Sequence, residues 1–111
     1  MHELAITESM VAAVAEKVGP ARVARVRLQV GRLAGVVPHA LRFCFETCAR
    51  GTTLEGASLE IDEIEGRGRC RRCGTELPMA SFLDVCACGG MEIELLAGQE
   101  LRIKDVEVEV H

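Results

Sequence analysis

The chain has no tryptophan, no tyrosine and only three phenylalanines. So few aromatics leave little from which to build the stacking platforms on which single-stranded nucleic acids lie. Positive charge is also short: thirteen basic residues against seventeen acidic give a net charge of −4. Nothing therefore draws the chain as a whole to nucleic acid or to an anionic membrane surface. No apolar run reaches the roughly 18 residues that a membrane span needs, and no basic stretch precedes an apolar one near the start. Neither a membrane span nor a secretory signal is expected. Internal repeats and low-complexity stretches are missing as well. There is no Ser/His/Asp grouping and no paired-carboxylate constellation, and histidines number three, so an enzyme is not expected.

What is present is a folded composition. Apolar residues make up 49% of the 111 positions, which suits one small domain, or one core with a satellite, better than a disordered chain. Six cysteines in a chain for which no secretory signal is expected point to the reducing cytosol, where thiols bind metals or sit in cores more often than they pair. Cys44 and Cys48 fall in one kind of segment and Cys70, Cys73, Cys86 and Cys88 in another, which argues against a disulfide scaffold.

Leu4 to Val18 has helical spacing, with Leu4, Thr7, Val11, Val14 and Val18 recurring at three- and four-residue steps beside Met10. Gly19-Pro20 ends it, and Glu3 complements the dipole at its start. Val26, Leu28 and Val30 alternate with Arg25, Arg27 and Gln29 as in a strand with one wet face. Pro38 stands where a first helical residue should be and Gly51 where the chain should leave the helix, with Leu41, Cys44, Phe45 and Cys48 as the apolar stripe between. Ala57, Leu59 and Ile61 alternate as a second strand. Met91–Leu96 and Leu101–Val110 suggest a hairpin about Ala97-Gly98. Glu107 and Glu109 on the last strand are expected to face the arginines of the first. The expected fold is α+β: two helices on one face of a three-stranded sheet, with an inserted four-cysteine, zinc-ribbon-like subdomain. The expected domains are 1–66 with 97–111, discontinuous in sequence, and 67–96.

Cys70-Arg71-Arg72-Cys73-Gly74 has the spacing of a zinc knuckle, and twelve residues later comes Cys86-Ala87-Cys88-Gly89-Gly90. Two such pairs make a tetrahedral four-thiolate site with zinc as its usual occupant. A thiol-only shell keeps no open position for water, so the role is structural, on the order of 10 kcal/mol of local folding at neutral pH. The second pair is one residue shorter than a regular knuckle. Either Cys86 and Cys88 both ligate through an unusual turn, or one of them does and another group completes the shell. Arg67, Arg69, Arg71 and Arg72 could contact nucleic acid, but they more simply offset the charge of a metal bound by four thiolates. Cys44 and Cys48 share a helix face and suit small buried hydrophobes. His39 and His111 suit solvated positions.

At the other end stands Met1-His2-Glu3. A histidine one peptide bond from a free amine can close fused chelate rings through amine, amide and imidazole nitrogens. Such nitrogen sets suit Ni(II) or Cu(II). Amines and imidazoles ordinarily hold a proton below about pH 8 and about pH 6.5, and must lose it to ligate, so affinity should fall as pH drops through that range.

Taken with these features, the stretch Gly31–Glu46 (GRLAGVVPHALRFCFE), Leu54-Glu55-Gly56-Ala57 and Leu101-Arg102-Ile103 make the chain resemble the HypA/HybF family along essentially its whole length. Members of that family are accessory proteins of nickel insertion into [NiFe]-hydrogenase. The resemblance implies a cytoplasmic metallochaperone with a nickel domain and a zinc domain. It implies nickel held by the amine of Met1, backbone nitrogen around His2 and Glu3, and the His2 side chain. It maps the zinc ligands to Cys70, Cys73, Cys86 and Cys88, although the family's second pair is usually C-x-x-C. Its implied partners are the GTPase HypB and the hydrogenase large-subunit precursor, and some members also supply urease. The competing expectation is a zinc-ribbon module that binds protein or nucleic acid and has no nickel role.

Overall fold

A computed structural model describes residues 2–109. Its elements are α1 (Glu3–Val18), β1 (Val23–Gly31), α2 (Pro38–Ala49), β2 (Ser58–Ile64), β3 (Gly66–Cys70), β4 (Glu76–Met79), β5 (Ile93–Ala97) and β6 (Leu101–Val108). Two three-stranded sheets form, in the orders β2-β1-β6 and β4-β3-β5. The architecture is α+β, as the spacing of apolar residues implies. The chain divides into two compact units: residues 2–29, 36–62 and 102–109, and residues 30–35 and 63–101.

In the first unit α1 packs on α2. β1 buries Val26 and Leu28 on its inner face, the alternation expected of a half-wet strand, and Val23 is buried at its start. Leu41, Phe45 and Ala49 form the buried stripe of α2, and Leu59 of β2 and Leu54 of the preceding turn complete this core. Pro38 opens α2, where a missing N–H forfeits nothing. The turn after α2 is tied by side chains: Thr52 Oγ1 donates to the Ala49 carbonyl at 2.7 Å, and the Gly51 N–H donates to Glu55 Oε1 at 2.7 Å. Those bonds, the second of them to Glu55 of the Leu54-Glu55-Gly56-Ala57 stretch, fix the turn that drops Leu54, with no exposed surface, into the core.

On the outer face Arg25 lies between Glu60, at 3.1 Å, and Glu107, and Arg27 pairs with Asp105 at 3.0 Å. Glu107 first, and then Glu60, raise the Arg25 pKa further. Glu107 thus meets the first strand as expected. Glu109 meets it through its backbone instead, donating N–H to the Arg22 carbonyl at 2.8 Å.

Three details depart from expectation. The stripe of α1 is rotated: Glu3, Thr7, Met10, Val11 and Val14 are buried while Leu4 is 51% exposed. A carboxylate can take the inward position because the Val37 N–H donates to Glu3 Oε2 at 3.1 Å. No hairpin joins the last two strands, since β5 pairs with β3 and β6 belongs to the β2-β1-β6 sheet. Cys44 and Cys48 are half-buried and not in the core, because α2 turns residues 41, 45 and 49 inward.

The second unit is built on β3, antiparallel to β4 on one side and to β5 on the other. The 30–35 segment joins it through backbone bonds, Gly31 N–H to the Glu100 carbonyl and Leu33 N–H to that of Gly98, both at 2.7 Å. β3 reads Gly-Arg-Gly-Arg-Cys, and its inward positions are Gly66, Gly68 and Cys70. A Cβ on Gly68 would stand 2.4 Å from Ile93 Cγ2, so the strand packs by leaving room for its neighbours. Outward, Arg67 pairs with Glu76 at 2.7 Å, and Arg69 lies between Glu76 at 3.6 Å and Glu94 at 3.8 Å.

Candidate metal centres

Cys70 ends β3 and Cys73 follows in the turn to β4, a turn closed by the Gly74 N–H on the Cys70 carbonyl (2.8 Å) and the Cys70 N–H on the Thr75 carbonyl (2.9 Å). This is the knuckle that the C-x-x-C-G spacing implies. The shorter pair is accommodated differently. The Gly89 N–H closes a turn on the Cys86 carbonyl at 2.9 Å, the Cys86 N–H bonds the Gly90 carbonyl at 3.0 Å, and the Gly90 N–H points to Cys88 Sγ at 3.4 Å. Losing one residue therefore costs no sulfur; the turn re-aims it. A side chain at Gly90 would not fit, since its Cβ would lie 2.7 Å from Cys70 Sγ.

The four sulfurs of Cys70, Cys73, Cys86 and Cys88 all lie within 4.8 Å of one another, with Cys70 to Cys88 at 3.6 Å and Cys73 to Cys86 at 3.5 Å. Zinc–sulfur bonds of about 2.3 Å in a tetrahedron put sulfurs about 3.8 Å apart, so the donor set fits that ion. Cys70 and Cys86 are buried, Cys73 and Cys88 exposed.

The acidities spread as four crowded thiols require. Thr75, through its hydroxyl and then its N–H, holds Cys73 down at about 6. The Cys73 N–H leads in lowering Cys70. At Cys88 the Gly90 N–H pulls downward, but desolvation and the thiols of Cys70, Cys86 and Cys73 prevail and push it up to about 12. Four thiolates in this space repel one another unless a cation is present. A divalent thiophilic ion supplies that charge and displaces the protons. Thr75 and Gly90 thus tune the cluster; Gly90 was visible in the sequence as a Gly-Gly after cysteine, while Thr75 carried no signal.

Of the candidate nickel donors, Met1 lies outside the described residues. His2 is exposed at the N-cap position of α1, where its carbonyl accepts the Ile6 N–H at 2.9 Å. That is the bond that starts the helix, and the amides before Ile6 have no intrahelical acceptor. Glu3 points inward. Its carboxylate accepts from the Val37 N–H and its carbonyl accepts the Thr7 hydroxyl at 2.6 Å, so the residue after His2 is anchored to the N-cap of α2 and to its own helix. His39 is exposed, and His111 lies outside the described residues.

The family model described as "HypA: Hydrogenase/urease nickel incorporation, metallochaperone, hypA" matches residues 1–108. A curated relative from Nostoc punctiforme named "Hydrogenase maturation factor HypA" is 49% identical over 109 residues, 98% of this chain and 96% of the relative. One of the same name from Geobacter metallireducens is 48% identical over 110 residues, 98% of this chain and all of the relative. Among solved structures, the solution structure of "the Ni metallochaperone HypA from Helicobacter pylori" superposes with a TM-score of 0.65 at 20% identity, covering both chains completely. A second solution structure, of a "HypA protein", gives a TM-score of 0.68 at 24% identity over 98% of this chain and 97% of the other. At those identities the superpositions speak for the fold.

Proposed function

The chain belongs to the HypA family of hydrogenase and urease nickel-incorporation proteins, and from that premise we propose that it carries Ni(II) at its amino terminus and delivers it during maturation of [NiFe]-hydrogenase. The observation that carries this is the reach of the family match, from residue 1 through residue 108, over both the Met-His-Glu start and the cysteine cluster.

In this proposal nickel is cargo, held by the amine of Met1, backbone nitrogen about His2 and Glu3, and the imidazole of His2. Three features support it. The His2 side chain is exposed. The Glu3 N–H precedes the first intrahelical donor, so a metal can displace its proton without breaking a helical bond. The Glu3 carboxylate is engaged with Val37, which spares an entropy cost of ordering the strap around an ion. Zinc is the resident metal, held by Cys70, Cys73, Cys86 and Cys88, and it supplies the cross-link that orders their turns. Its closed shell leaves no place for a substrate, which fits a carrier better than an enzyme. The corresponding domains are a nickel domain, residues 1–66 with 97–111, and a zinc domain, residues 67–96.

The partners that suit this role are the HypB GTPase and the hydrogenase large-subunit precursor. Phe82, Leu83, Val85 and Met91 are exposed apolar side chains of the kind a docking protein keeps. The compartment that suits it is the cytoplasm, where six thiols stay reduced. Among the described residues no helix is long and apolar enough to cross a membrane.

The test is a nickel titration of protein with its native terminus, beside a variant extended by one residue before Met1 and beside His2→Ala. Tight binding should be lost in both variants while zinc content and helical signal persist, and native affinity should decline between about pH 8 and about pH 6. Unchanged nickel binding by the extended chain would reject the terminal site and favour a zinc-ribbon module without a nickel role.

A further inference from the structure

Two of the six cysteines take no part in either centre. Cys44 and Cys48 lie four residues apart on α2, so their Cβ atoms are neighbours about 5–6 Å apart on one face of the helix. Neither is in the core: both are half-buried, open to an ion from solvent yet too sheltered to be ordinary surface polar groups. Glu8 of α1 adds a carboxylate to the field of Cys48.

Two sources of negative charge act on Cys48. Cys48 sits in the last turn of α2, where the helix carries partial negative charge and where no basic side chain is present. Burial first, then Glu8, then Cys44 raise the thiol of Cys48 above its ordinary value. Metal-free, Cys48 is therefore a neutral thiol and a poor nucleophile. The same negative charge that discourages a thiolate favours a cation placed between the sulfurs.

We propose that Cys44 and Cys48 form a second metal site, separate from the four-cysteine cluster and from the terminal nitrogens, that takes one thiophilic divalent cation. On binding, each thiol gives its proton to solvent and each sulfur forms one bond to the metal. Two thiolates and a dication make a neutral unit, which a half-buried position tolerates. A monovalent ion would leave a net negative charge beside Glu8 and the helix end. Soft thiolate donors select ions such as Cd(II) or Zn(II) over harder ones. Water would complete the shell on the open side.

Cadmium titrated into the zinc-loaded chain is the direct test, following thiolate-to-cadmium charge transfer in the ultraviolet and zinc release in parallel. One cadmium should bind with a thiolate band and without release of zinc. Cys44→Ser and Cys48→Ser should each lose that equivalent and keep their zinc. Glu8→Gln should keep the band. In the unsubstituted chain, bound cadmium should shield Cys44 and Cys48 from an alkylating reagent, read by peptide mass; this arm needs no variant to fold. The proposal is overturned if cadmium enters only as zinc leaves, if the Cys44→Ser/Cys48→Ser double variant retains the equivalent, or if alkylation of the pair is unaffected by the metal.

Discussion

Cys73 and Cys88 are the two exposed members of the cluster, yet their environments push them in opposite directions. Donors from Thr75 stabilise the Cys73 thiolate, giving about 6, whereas Cys88 is carried to about 12 by desolvation and its neighbours' sulfurs despite the Gly90 N–H. Since the thiolate is the nucleophile, a brief alkylation pulse near neutral pH, given as a chelator withdraws zinc and before the turns open, should label Cys73 first and Cys88 last. The Cys73 rate should fall as pH drops through about 6. The sign for stability follows the same shifts. The stabilisation from Cys73 is fully present above the ordinary thiol value of 9.0 and is lost as pH falls through about 6. Cys88 contributes below that ordinary value and loses its contribution as pH rises toward about 12. With zinc bound none of the four should label. Equal rates for Cys73 and Cys88 in the stripped chain would show that their environments do not survive metal loss.

At the scale of elements, periodicity reports only where side chains fill the interior. β1 was legible because Val26, Leu28 and Val30 alternate with polar residues and are buried. α2 was legible because Pro38 and Gly51 bracket it. β3 was not, because two of its three inward positions are Gly66 and Gly68, and an alternation of glycine with arginine has no apolar face to detect. The rotation of α1 was hidden for a related reason: the inward Glu3 carboxylate accepts from the Val37 N–H, 34 residues away, which the local pattern does not contain. The false hairpin at Ala97-Gly98 had sound local signals, two apolar stretches about a glycine, but partner choice is decided by β3 and β1, which the local pattern does not contain. The cysteine spacing was the most informative feature, and the turn that rescues the short pair rests on Gly90. Gly90→Ala should weaken zinc retention by about 10- to 100-fold in a chelator competition, since its Cβ must displace the Cys70 sulfur. Retention equal to the parent chain's would mean that the turn relaxes without disturbing the ligands.

For the whole molecule the question is how one short chain keeps two metals apart. Zinc belongs where four thiolates converge in the unit of residues 30–35 and 63–101. Nitrogen donors at the terminus, in the proposed function, belong to nickel. Donor chemistry sorts the ions, so delivering one need not disturb the other. The two units also differ in what holds them. The first buries Val11, Val14, Val26, Leu28, Leu41, Phe45 and Leu54, enough apolar surface for a small core. The second leaves Phe82, Leu83, Val85 and Met91 exposed and has glycines inside β3, so metal binding on the order of 10 kcal/mol must supply much of its order. Removing zinc with a strong chelator should therefore speed amide exchange through residues 63–101, above all from Cys70 to Gly90, while α1, α2 and the core amides of β1 keep their protection. Nickel titrated into that stripped chain should still bind at the native terminus with its original affinity. If protection were lost in both units together, or if terminal nickel binding fell with the zinc, the zinc centre would be a support for the carrier site as well as for its own unit.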